Sequence, residues 1–262
     1  MTDVFSFHEG ISPLLISVPH DGTKLPEDIR ERMTPAGAAV PDTDWHVAKL
    51  YSFARELGAS VIAANYSRYV VDLNRPATDA ALYAGQVATG LCPLQTFAGE
   101  EIYASSTVDD SETQDRIAIY WQPYHDKIEA ELNRLRATHG FALLWDAHSI
   151  ASEVPRLFDG ELPALNIGTN GGRSCAETMA QRVAAVAAAS PYSDVLNGRF
   201  QGGHITRHYG DPGQGVHAMQ LEIVQRVYLD EATTKFDAQK ASDLRDTLRL
   251  MLNEFIESAE SI

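Results

Sequence analysis

The sequence predicts an α/β protein whose sheet is covered by helices on both faces. Three observations predict it. Short apolar runs of strand length alternate with amphipathic stretches of helical period. No repeat, low-complexity tract or Pro/Gly/Ser linker divides the 262 residues, so one domain spanning 1–262 is expected. A composition of 44% hydrophobic and 22% charged residues is that of a chain folded around a core, which excludes disorder.

The elements follow in order. Leu14-Leu15-Ile16-Ser17-Val18 reads as a buried strand, stopped by Pro19 and Gly22. Asp42 and Thr43 offer N-caps for a helix with Val47, Leu50, Ala54 and Leu57 inward and Gly58 at its end. Val61-Ile62-Ala63-Ala64 is the next strand and Tyr69-Val70-Val71 a short one. A helical period over 114–138 buries Ile117, Trp121, Tyr124, Ile128, Leu132 and Leu135, with Pro123 expected to kink it. Phe141-Ala142-Leu143-Leu144-Trp145 is a central strand, and Ala164-Leu165-Asn166-Ile167-Gly168 another. An Ala-rich helix over 174–190 turns Met179, Val183 and Val186 inward. Met219-Gln220-Leu221-Glu222-Ile223-Val224 is a late strand. The last helix, 237–258, packs through Leu244, Leu248, Met251, Leu252 and Phe255.

Charge and composition exclude several functions. Asp and Glu number 36 against 21 Lys and Arg, a net charge of −15, which argues against binding nucleic acid or an anionic membrane surface. The longest apolar stretches, such as 183–189, are too short to span a bilayer. No export signal is visible at the N-terminus, so a cytoplasmic protein is expected. Cys92 and Cys175 form no CxxC, so neither a disulfide framework nor a thiolate metal knuckle is expected. The cations are 16 Arg and 5 Lys, and every cation between Lys127 and Lys235 is an Arg. Arg suits a fixed planar grip on carboxylates, although a lineage bias explains the excess equally well.

Several strands run into reactive residues. The first leads to His20 and Asp21, the short one to Asp72, Asn74 and Arg75, and the central one to Asp146 and His148; Glu222 lies inside the late strand. Ligands of open α/β sheets bind at the carboxyl ends of the strands, so these groups are expected on one rim. A Glu in a core strand is costly unless it is paired or used. Two His and a carboxylate are the protein ligands of one type of catalytic zinc site. His20 and His148 are the best-placed histidines. Asp44 is the carboxylate chosen, because it opens the helix after the first strand; an ordinary helix-start carboxylate would read the same. His46 competes, but two residues on it would not share Asp44's face. Asp146 is placed to hold a ligand histidine in one tautomer.

These residues belong to a larger set. The segments SVPHDG (17–22), DTDWHVAKLY (42–51), SRYVVDLNR (67–75), LYAGQ (82–86), TGLCP (89–93), YWQPYH (120–125), DAHSI (146–150), PRLFDG (155–160), NGRFQGGHITRHYG (197–210) and GVHAMQLEI (215–223) together resemble the N-formylglutamate deformylases, or N-formylglutamate amidohydrolases. That family in turn resembles zinc carboxypeptidases and aspartoacylase. The HxxE pair of those relatives is missing, since Thr23 stands where Glu would.

The resemblance implies a three-layer mixed sheet of the zinc-exopeptidase (phosphorylase/hydrolase-like) type. It implies hydrolysis of N-formyl-L-glutamate to formate and glutamate, the last step of a histidine degradation route. Zinc, or another divalent ion, would sit on His20, Asp44 and His148 and activate a water. Glu222 would carry that water's proton to the leaving amine and Arg68 would hold the oxyanion. Asn74, Arg75, Arg173 and Arg207 would bind the two substrate carboxylates. Arg156 and Arg199 read as structural, His204 and His208 as either contacts or packing, and His8, His125, His139 and His217 as solvated or packing. The expected partner is a small molecule, with a monomer or small homo-oligomer. Two rivals remain: a zinc deacylase of another N-acyl amino acid, and a non-catalytic dicarboxylate-binding protein.

Overall fold

A computed structural model describes residues 3–80, 89–105 and 107–259, so the LYAGQ segment at 82–86 lies outside the described residues. Seven strands form one sheet: β1 (Phe5–His8), β2 (Leu14–Val18), β3 (Ser60–Ala64), β4 (Ala142–Ile150), β5 (Leu165–Gly168), β6 (Asp194–Leu196) and β7 (Val216–Val224). Their order is β1-β3-β2-β4-β7-β5-β6. The four central strands β3, β2, β4 and β7 are mutually parallel, while β1 runs against β3 and β5 against β7. The helices are α1 (Glu27–Arg30), α2 (Pro35–Ala38), α3 (Val47–Leu50), α4 (Asp110–Arg116), α5 (Gln122–His139), α6 (Glu177–Ala188), α7 (His204–Tyr209) and α8 (Ala238–Ala259). A small ribbon, β8 (Leu229–Asp230) with β9 (Lys235–Phe236), precedes α8.

Strand alternation builds three layers. On one face, Ile16, Trp145, Leu221 and their like-facing neighbours pack against Met179 and Val183 of α6 and Leu244, Leu248 and Phe255 of α8. On the other, Leu15, Leu144 and Ala218 meet Tyr124, Ile128, Leu132 and Leu135 of α5. All nine residues of β4 and of β7 are buried, as central strands covered on both sides must be. The three-layer mixed α/β expectation is therefore met. Among the described residues no helix is long and apolar enough to cross a membrane.

Three local expectations are corrected. The 69–71 strand is a run of turns, because the buried Arg116 guanidinium donates to the carbonyls of Tyr69 (3.4 Å) and Val70 (2.9 Å) and so replaces a neighbouring strand. The helix after the first strand is one α turn, α3, continued by a 3-10 segment Tyr51–Leu57 that ends at Gly58 with φ +68°. Asp42 and Thr43 do not cap it. The Asp42 carboxylate accepts from Tyr69 Oη and Phe97 N, Thr43 Oγ1 donates to Val40 O, and the cap position is His46 at φ +64°. The helical stretch at 114–138 begins earlier, capped by Asp109, and contains a π turn, Ile117–Trp121, between α4 and α5. The disturbance expected at Pro123 thus falls just before it: the helix runs on through the π turn into α5, and the wider turn makes room for a residue with no N–H to donate.

Candidate active site

The site begins with strand parity. In β4 the residues facing α5 are Ala142, Leu144, Asp146, His148 and Ile150, and in β7 they are Val216, Ala218, Gln220 and Glu222. Apolar members occupy the amino ends, under α5. Towards the carboxyl ends the same positions become polar: Ser17 pairs in register with Asp146, Asp146 with Gln220, and His148 with Glu222. The expected strand ending at Trp145 therefore continues to Ile150, and the reactive residues lie within it. The segment 67–75 and α7 cover this polar end of the face, bonding to it through Asn74, Gly203 and Thr206.

His20, Asp44 and His148 converge there. Their candidate donor atoms lie within 4.8 Å of one another, and all three residues are buried. Asp44 Oδ2 is 2.9 Å from His148 Nδ1 and 3.7 Å from His20 Nδ1. Those separations bracket the ~3.3 Å expected between ligands of a tetrahedral zinc ion with bonds of about 2.0–2.1 Å. His20 Nδ1 is buried with no hydrogen-bond partner, a costly state for a polar atom that a bound cation would relieve. The far nitrogens of both rings are braced: His20 Nε2 meets Asp72 Oδ1 at 2.7 Å, and His148 Nε2 meets Asp146 Oδ2 at 3.2 Å. Carboxylate–histidine pairs of this kind fix ring orientation around metals. The donor set fits a divalent ion.

Asp44 is not at a helix start as expected. It lies in a turn tied back to the first strand by its own N–H on His20 O (3.1 Å), and Ser149 N donates to its Oδ2 (3.1 Å). Burial would raise its pKa, but the hydrogen bond with His148 and the closeness of His20 outweigh burial and hold the carboxyl below its ordinary range. Burial likewise disfavours the His148 imidazolium, yet Asp146 and Asp44 push its pKa well up. Burial opposes the charge on Asp72 too, and Arg68 and His20 keep it ionised. A proton on His148 thus offsets carboxylate charge where a metal cation would.

Glu222 faces the same cleft across the strand pair, with Gln220 beside it. Burial pushes its carboxyl up to about 8, partly opposed by His148 and Arg68 and reinforced by Asp44 and Asp146. Arg68 donates to Asp72 Oδ2 (2.7 Å), approaches Asp44 Oδ1 (3.8 Å) and lies 4.9 Å from the Phe97 ring centroid.

The cleft brings together His20, Asp44, Arg68, Asn74, Arg75, His148 and Glu222, and Asp146 lies directly beneath it. Arg173 and Arg207 do not line it. Arg173 is exposed and donates to Asn170 Oδ1 (2.8 Å), and Arg207 Nε donates to Gly202 O (2.7 Å). Arg199, read from sequence as structural, lines the cleft beside Phe200 while also gripping Leu157 O. Sequence reasoning missed Asp72 as the brace of His20, naming it only among the reactive residues at a strand end. No local pattern marks that role, which depends on the approach of two segments 52 residues apart in the chain. His46 is turned away, bonding Thr234 O at 2.9 Å. His125 is a packing residue, stacked 3.7 Å from the Trp121 ring, and burial holds it neutral with a pKa of about 3.

The chain has relatives among known proteins. The profile of the N-formylglutamate amidohydrolase family matches residues 12–229. The chain is 52% identical over 260 residues to the N-formylglutamate deformylase of Pseudomonas aeruginosa and 49% identical to that of Pseudomonas putida. Each alignment covers 98% of this chain and 96% of the relative. Among solved structures, the N-formylglutamate amidohydrolase of Ralstonia eutropha superposes with a TM-score of 0.82 at 22% identity, covering 98% of both chains. A gene product of Agrobacterium tumefaciens gives 0.73 at 16% identity, covering 95% of both. At these identities the two structures speak for the fold alone.

Proposed function

The chain belongs to the N-formylglutamate amidohydrolase family, and on that premise we propose that it hydrolyses N-formyl-L-glutamate to formate and L-glutamate with a divalent ion, zinc, on His20, Asp44 and His148. The carrying observation is the orphaned His20 Nδ1, facing Asp44 beside His148, with Glu222 in register on the adjacent strand. When bound, the ion supplies Lewis-acid activation of the attacking water and of the formamide carbonyl. Burial raises the Glu222 carboxyl in the metal-free site, and the charge of a bound ion would draw it back towards the range in which a carboxylate takes a proton from water and returns it. Glu222 accepts the proton from water as its oxygen adds to the formyl carbon. The same carboxyl then delivers the proton to the amine nitrogen as the C–N bond breaks. Arg68, held by Asp72, faces the developing oxyanion. Arg75 is the predicted substrate cation that the cleft retains, and Arg199 supplies a second. In this reading the enzyme serves histidine degradation, as the family resemblance implies.

The test compares kcat/KM for N-formylglutamate, N-formylaspartate and N-acetylglutamate, before and after chelation and zinc restoration. N-formylglutamate is expected to lead by at least tenfold, with turnover lost on chelation and regained with zinc. A preference for the acetyl compound would refute the deformylase reading, and turnover indifferent to chelation would refute the metal.

A further inference from the structure

Two cavities share a wall. The cleft described above encloses about 90 Å³, and a wider recess of about 630 Å³ opens beside it; Phe97, Ser149 and Ile150 line both. Ser149 and Ile150 belong to β4 and are fixed by its register with β7, whereas Phe97 stands on a loop. That loop is pinned. Phe97 N donates to Asp42 Oδ2 (2.7 Å), and Arg156 donates from Nη1 to Thr96 O (2.8 Å) and from Nη2 to Gln95 Oε1 (2.6 Å). Gly99, at φ +88°, closes the turn with its N–H on Thr96 O (2.9 Å). The Phe97 ring packs against the apolar cluster of Ile150, Val154, Leu162 and Val224, and its centroid lies 4.9 Å from the Arg68 guanidinium. Beyond the ring the recess offers Ala98, Ala151, Val154 and Pro155, a surface suited to an alkyl chain.

We propose that Phe97 is the specificity-determining residue for the acyl group: its ring closes the cleft at the formyl hydrogen and shuts out N-acyl groups that carry a carbon there. The inference rests on the deformylase reading above. Its physical basis is the shape of a formamide. The oxygen is held on the side of Arg68, the nitrogen leads to the glutamyl body and its cations Arg75 and Arg199, and the third bond of the carbonyl carbon carries only hydrogen. The ring against Arg68 stands on the acyl side of the cleft, where that third substituent must go. A methyl group needs the volume the ring fills, and a pinned loop over a packed cluster leaves the ring little room to yield.

The experiment uses the full chain and measures kcat/KM for the N-formyl, N-acetyl and N-butyryl derivatives of L-glutamate. Thermal melts establish folding first, and Phe97→Leu, which keeps most of the apolar packing, replaces Phe97→Ala if the latter does not fold. Phe97→Ala is expected to raise the acetyl-to-formyl ratio of kcat/KM by about tenfold or more, and Phe97→Leu by less. The ratio is the readout because a loosened loop or a displaced Arg68 would slow all three substrates together and leave it unchanged. Calorimetry on the metal-free protein gives a second readout without turnover: Phe97→Ala should bind N-butyryl-L-glutamate at least about fourfold more tightly than wild type, as one newly buried methylene would give. A folded variant whose acyl preference stays within about twofold of wild type, or whose butyryl binding is no tighter, would overturn the role of Phe97. A wild-type protein that prefers the acetyl compound, or hydrolyses none of the three, would instead overturn the deformylase reading on which the proposal rests.

Discussion

At the scale of single residues, Glu222 concentrates the reading, because one side chain is asked to be buried, near neutrality and close to the water. Glu222→Gln removes the proton acceptor while keeping shape, so it should cost about 10²- to 10⁴-fold in kcat and leave zinc bound; near-normal turnover would remove Glu222 from the mechanism. The same side chain sets a pH dependence in the metal-free protein. Its folded pKa lies above the ordinary 4.5, so the folded state holds a proton that the unfolded state releases. That contribution to stability is complete below about pH 4.5 and gone above about pH 8. Metal-free Glu222→Gln should therefore gain on wild type in Tm as pH rises from 5 to 8. A gap that stays constant with pH would show that Glu222 is not the titrating group. His20, His148 and Glu222 could be read from the sequence because the two histidines follow directly on apolar strands and Glu222 interrupts one. Asp72 could not, because its role depends on its distance from His20, 52 residues away in the chain.

At the scale of elements, the segment 67–75 matters more than its lack of regular structure suggests. It carries Arg68, Asp72, Asn74 and Arg75, and it is held by Arg116 from α4, which also donates to Tyr103 Oη (2.9 Å). A β-branched and aromatic run, Tyr69-Val70-Val71, has strand propensity, and the sequence reading followed it. The tertiary structure overrode that propensity because a buried guanidinium satisfies the backbone acceptors that a strand neighbour would otherwise take. Arg116→Leu should strand those carbonyls and leave the partly buried Glu112 without its i,i+4 partner. The expected cost is about 3 kcal/mol in urea unfolding, with a fall in kcat/KM as the site loosens. A loss below about 0.5 kcal/mol would mean that the segment holds itself. The β4 and β7 strands show the opposite case. Their apolar halves were recognised, while their polar carboxyl ends were cut short, because in a sequence Asp146 and His148 look like the end of a strand.

At the scale of the whole molecule, metal binding should couple to stability, since the unfolded chain cannot hold His20, Asp44 and His148 together. Free zinc at a hundredfold excess over Kd should stabilise by about 2.7 kcal/mol, or roughly 5–10 °C in Tm for a chain of this size. Identical melts with and without zinc would refute the centre. The net charge of −15 belongs to the surface as a whole. The Arg excess, attractive as a sign of carboxylate recognition, is mostly spent elsewhere: Arg134 pairs with Glu131, Arg182 with Glu254, and Arg156 holds the Thr96 carbonyl. Among the described residues Arg68, Arg75 and Arg199 reach the cleft.

The sequence by itself determined the layered α/β class, the core faces of the long helices and central strands, and the family. Each of these is written in local periodicity or in short motifs, which a linear reading can see. The tertiary structure alone decided which arginines enter the cleft, that Asp72 braces His20, and that Phe97 stands between two cavities. Those are relations between side chains far apart in the chain, fixed by strand register and by the hold of Asp42 and Arg156 on the loop that carries Phe97. No local pattern encodes a distance of that kind.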